Sequence, residues 1–105
     1  MPEYNLIVTI VNKGKADEVM EACRREGVKG GTLLKGRGQG IHEQIKLFGI
    51  HIEPEKDILL NIVERDKTES VLKAINAAVD LDKPSNGIAF VLEVQRAAGL
   101  SRDEN

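Results

Sequence analysis

The chain repeats itself. Leu6, Val8, Ile10, Val19, Met20 and Cys23 return at a constant offset as Ile58, Leu60, Ile62, Val71, Leu72 and Ile75. In each copy three apolar residues at period two precede three at helical spacing. Each copy therefore reads as a strand followed by an amphipathic helix. The chain then has little freedom, because two such units must share one core.

Taken in order, 4–12 predicts a strand and 15–26 a helix. Asn12 stands where a helix cap is expected. Gly27 is placed to end the helix in a left-handed conformation. Cys23 lies in the helix's apolar stripe and reads as a buried small hydrophobe. A second strand follows over 28–36, with Gly30-Gly31 at its start marking a bulge or the close approach of another backbone. The third strand is expected over 56–64 and the second helix over 67–81, opened by an Asp66/Glu69 capping box. Residues 88–95 predict the last strand, and 97–105 a frayed tail. Strand–helix–strand, twice, is the ferredoxin-like order β-α-β-β-α-β. It is an α+β fold with an antiparallel sheet and both helices on one face. At 105 residues, one domain covering 1–105 is expected.

Strand faces add one expectation. Leu6, Val8, Ile10, Ile58, Leu60, Ile62, Ile88, Phe90, Leu92 and Val94 make uniformly apolar faces, read here as the helix-covered side. Ile7, Val11, Leu59, Val63 and Val91 then fall on the second side. A large apolar patch there points to an oligomer with sheet faces turned inward.

Composition removes several functions. The formal net charge is −2, with both signs interspersed, so no field favours nucleic acid or anionic membrane. There is no Trp, and there are only two Phe and one Tyr, which argues against base stacking. A lone cysteine gives no disulfide framework and no thiolate metal site. The first residues read as neither a signal peptide nor a membrane span, so a cytoplasmic protein without membrane insertion is expected.

Chemistry concentrates between the second and third strands. Lys35-Gly36-Arg37-Gly38-Gln39-Gly40 alternates glycine with polar residues where the run Thr32-Leu33-Leu34 stops. Glycine lets a chain turn with positive φ and lets a ligand reach the main chain. Backbone N–H groups there, with Arg37 and Lys35, suit an anion. No Gly-Lys-Ser/Thr follows, so this is not a Walker phosphate loop. The connection 37–54 is long for a compact domain, which points to a functional or a disordered segment. His42, Glu43 and His51 lie in it as weak metal candidates, with a spacing that matches no compact motif. No nucleophile accompanies His42-Glu43, so no catalytic residue is expected.

The segments Gly31-Thr32-Leu33-Leu34-Lys35-Gly36-Arg37-Gly38-Gln39, Pro54-Glu55-Lys56 and Asn86-Gly87-Ile88-Ala89-Phe90-Val91 resemble the PII family of nitrogen-regulatory signalling proteins. The resemblance covers nearly the whole chain. It implies a homotrimer that binds an adenine nucleotide (ATP, ADP or AMP) in clefts between subunits, with no cofactor required. It also implies that 37–54 is the family's T-loop, which docks on a partner such as a membrane transporter or an enzyme. The candidate ligand residues become Thr32, Lys35, Gly36, Arg37, Gly38, Gln39, Lys56, Lys83, Gly87 and Arg96. Lys56 closes the long loop, Lys83 and Gly87 belong to the B-loop, and Arg96 follows the last strand. The loop is shorter than is usual in the family and holds no Tyr, so the family's uridylylation switch has no acceptor there. The expected function is signal transduction without catalysis. The alternatives are a metal-responsive trimer and a metal-dependent phosphohydrolase.

Overall fold

The computed structural model describes residues 3–40 and 45–100. In chain order the elements are β1 (Tyr4–Asn12), α1 (Ala16–Arg25), β2 (Thr32–Arg37), β3 (Ile45–Leu47), β4 (Ile50–Ile52), β5 (Glu55–Glu64), a 3-10 turn (Arg65–Lys67), α2 (Thr68–Val79) and β6 (Gly87–Val94). Four strands form an antiparallel sheet in the order β2-β5-β1-β6. The first strands of the two repeats, β1 and β5, pair along their length, from Tyr4 opposite Glu64 to Asn12 opposite Lys56. Both helices pack on one face of this sheet. This is the ferredoxin-like fold that the repeat predicts.

The helices cover the opposite face from the one expected. Ile7, Val11, Leu59 and Val63 are buried beneath them with Val19, Cys23, Val71 and Ile75. Burial also pushes the Cys23 thiol pKa up. Leu6, Val8, Ile10, Ile58, Leu60 and Ile62 instead lie on the open face, where Leu34, Ile88, Phe90 and Leu92 join them. Polar residues on the covered face hide it in the sequence, and a helix start and a turn hold two of them. Asn5 Nδ2 donates to Thr68 Oγ1 at 3.0 Å, and Asn61 Nδ2 donates to the Gly30 carbonyl at 3.0 Å. Pairing offsets much of the cost of burying such groups, while Thr9 Oγ1 and Asn61 Oδ1 on the same face have no hydrogen-bond partner among the described residues. Counting apolar residues per face therefore selects the wrong side.

Helix starts differ from expectation too. Neither Asn12 nor an Asp66/Glu69 box caps a helix, and the N-cap residues Lys15 and Lys67 make no side-chain capping hydrogen bond. Asp57 of β5 does this for α1 from across the fold. Its carboxylate accepts the Gly14 N–H at 3.1 Å, and the Ala16 N–H lies close enough to help lower its pKa. A 3-10 turn leads into α2 instead of a capping box. Gly27, at φ +89, ends α1 as predicted, with the Val28 N–H donating back to the Cys23 carbonyl at 3.0 Å. Gly31 is approached closely, by side chains rather than by another backbone: a Cβ there would lie 2.4 Å from Asn61 Nδ2.

Candidate ligand site at one end of the sheet

Strand register decides which candidates meet. Lys35 lies opposite Asp57, Gly36 opposite Lys56 and Arg37 opposite Glu55. On β5's other side Asn12 faces Lys56, and Val11 faces both Asp57 and Gly87. Lys35, Gly36, Arg37, Lys56 and Gly87 therefore share one end of the sheet. Gly38 and Gln39 continue from it. The Gly38 N–H donates to the Pro54 carbonyl at 3.1 Å, which closes the root of the 37–54 connection.

Alternation along a strand then divides these residues between faces. Lys35 points to the helix side, where Nζ donates to Asp57 Oδ1 at 2.6 Å. The Asp57 side chain is only 2% exposed, and the Lys35 hydrogen bond is the main cause of its lowered pKa. Gly36 is on the open side with Ile58, whose Cδ1 would stand 2.9 Å from a Cβ at that position. Lys56 is also on the open side. It is buried, and its Nζ donates to Asn12 Oδ1 at 2.7 Å. Arg37 is exposed, with no ion-pair partner among the described residues.

Gly36 and Gly38 do not take the expected left-handed conformation: neither has a positive φ, and a Cβ at Gly38 would meet nothing. Glycine conformation matters instead at Gly87. There φ is +136, and a Cβ would lie 2.3 Å from the Ile10 carbonyl oxygen. The 83–87 loop before it is built from α2's end. Asn86 Nδ2 donates to the Val79 and Asp80 carbonyls, and Lys83 pairs with Asp80 at 3.3 Å.

Two candidates lie elsewhere. Thr32 opens β2 opposite Leu60, halfway along the sheet. Arg96 follows β6, whose last residue Val94 faces Tyr4 at the far end. Seven residue steps from Gly87 to Val94 span about 23 Å. Thr32 lines a cleft of about 350 Å³ with Gly30, Gly31, Leu60, Ile62 and Leu100, away from the glycine-rich end.

Within the long connection, β3 and β4 form a two-stranded hairpin that the sequence reading missed. Phe48 and Gly49 make its turn, both with positive φ, and Phe48 is 93% exposed. His42 and Glu43 lie outside the described residues. His51 falls in β4, and no group of three metal-ligating side chains occurs among the described residues. No helix among them is long and apolar enough to cross a membrane.

Comparison with known proteins agrees with this arrangement. The model of the family "Nitrogen regulatory protein P-II" matches residues 4–104. The chain is 30% identical over 93 residues to the "Nitrogen fixation nifHD region glnB-like protein 1" of Methanococcus maripaludis, covering 88% of this chain and 89% of that protein. A crystal structure of Arabidopsis thaliana PII bound to citrate shares the fold with a TM-score of 0.69 at 24% identity, over 89% of this chain and 78% of that one. A register that joins both glycine-bearing loops at one end of a ferredoxin-like sheet, and a family match from the first strand to the tail, give one conclusion: the chain belongs to the nitrogen regulatory protein P-II family of signal-transduction regulators.

Proposed function

We propose that this protein senses a small anion, an adenine nucleotide such as ATP, ADP or AMP, in clefts between the subunits of a homotrimer. The observation that carries this reading is the separation of the candidates. Gly36–Gln39, Lys56 and Gly87 stand at one end of the sheet and Arg96 beyond the other. One small ligand reaches both groups only if a second copy brings its own far end alongside. The open sheet face supplies a surface for such a contact. It carries Leu34, Ile62, Ile88, Phe90 and Leu92, each at least 39% exposed in the single chain. An apolar patch of this kind is characteristic of an interface.

Arg37, unpaired among the described residues, and the N–H groups beside it would receive the anion. Lys56 and Lys83 flank the same end. A plant PII of the same fold holds citrate, another small polyanion, which supports an anion as the ligand class. Ligand at the root of the 37–54 connection would change the order of that loop, and the loop would engage or release a partner protein, a transporter or an enzyme, in the cytoplasm. No catalysis is involved. Isothermal titration with ATP, ADP, AMP and citrate tests the proposal. Saturable heat with at least one nucleotide is expected, and no heat with any of them overturns the nucleotide claim.

A further inference from the structure

One side chain touches both loops of the proposed site. Asn12, the last residue of β1, accepts from Lys56 Nζ at Oδ1 (2.7 Å) and donates from Nδ2 to the Ser85 carbonyl (3.0 Å). Lys56 sits at the root of the 37–54 connection. Ser85 sits at the crown of the 83–87 loop. The two partners set the orientation of the carboxamide: its oxygen meets an ammonium and its nitrogen a carbonyl.

Both anchors need holding. Lys56 is 7% exposed, and a buried ammonium needs polar partners. Ser85 has φ +71, a left-handed conformation that a residue with a Cβ adopts at a cost. Asn86 ties one side of this loop to the end of α2. Gly87 presses its exit against Ile10. The bond from Asn12 is the tie that joins the loop's crown to β5.

We propose that Asn12 is a positioning residue of the ligand site, a role that rests on the reading given above. Its carboxamide locks the strained 83–87 loop to Lys56. Lys83 and the loop backbone then stand at a fixed distance from the glycine-rich stretch before ligand arrives. Only a group with a donor and an acceptor serves both partners. Aspartate keeps the acceptor for Lys56 but faces the Ser85 carbonyl without a donor. Alanine holds neither.

Amide hydrogen exchange on the ligand-free protein reads the clamp, and calorimetry with ATP and ADP reads the site. In both Asn12→Ala and Asn12→Asp, exchange at 83–87 should accelerate about tenfold, while exchange in β1, β5 and both helices stays as in the parent. Nucleotide affinity should fall about tenfold in each variant. Lys83→Ala should weaken binding less in the Asn12→Asp background than in the parent, because an unclamped Lys83 is no longer in place. Unchanged exchange at 83–87 in both variants overturns the clamp. Faster exchange with parental affinity overturns the positioning role. A parent that binds neither nucleotide overturns the site reading and the role of Asn12 in it, and exchange then still decides whether the clamp exists.

Discussion

Replacing Asp57 tests how the fold is tied together at the site. Its carboxylate, 2% exposed, holds Lys35 Nζ at 2.6 Å and the Gly14 N–H at 3.1 Å, with the Ala16 N–H also favouring its charged form. Asp57→Ala removes a helix cap worth about 1 kcal/mol. It also removes a charge-assisted bond, discounted to about 1 kcal/mol because the Lys35 side chain is 61% exposed and screened by solvent. A small void adds to this, so a loss of about 2–3 kcal/mol is expected. Asp57→Asn keeps an acceptor for the backbone N–H groups and should lose only about 1 kcal/mol. The sign of the pH dependence follows from the carboxyl's lowered pKa. Its stabilisation is complete above the ordinary carboxylate value of about 4 and fades as the pH falls through the lower folded value. Urea unfolding of parent and Asp57→Asn at fixed protein concentration, at pH 7 and near pH 2.5, reads both effects. The gap should be open at pH 7 and narrow in acid. Equal stability at pH 7, or a gap that is unchanged in acid, refutes the argument.

Three further outcomes follow from the geometry. Ile58→Glu puts a charge on the open face and should give a monomer by light scattering with the parent's circular dichroism. Leu59→Glu, one residue on, should unfold the chain, because an unpaired charge at a fully buried core position costs several kcal/mol. Gly87→Ala should destabilise by at least 1 kcal/mol in urea unfolding, from its positive φ and the Ile10 carbonyl, whereas Gly38→Ala should be neutral. Arg37→Ala should weaken nucleotide binding in calorimetry by roughly 1.5–3 kcal/mol, ten- to a hundredfold, with urea stability unchanged.

The repeat makes the fold legible, because period two and helical spacing recur over residues that must share a core. Face assignment is not legible from the same letters. Asn5, Asp57 and Asn61 look like surface residues until the fold supplies Thr68, Gly14 and Gly30 as partners. The cap on α1 is hidden for the same reason: Asp57 is far from Gly14 in sequence, and only β1–β5 pairing brings it there. The hairpin carries a signal that is easily passed over. Ile45, Leu47, Ile50 and Ile52 alternate around two residues. Its turn uses Phe48-Gly49 in place of the Asn-Gly that usually marks one. At the site, the residues flanking glycine were legible as anion candidates. Asn12 was not, because its role depends on two long-range contacts.

The central claim is that the ligand site needs more than one subunit. Calorimetric titration of ATP into parent and into Phe90→Glu, a charge in the middle of the open face and away from Gly36, tests it most directly, because this variant should be monomeric without touching the site. The account predicts saturable heat from the parent and none from the monomer at the same concentration. A monomer that binds ATP with the parent's affinity would contradict it.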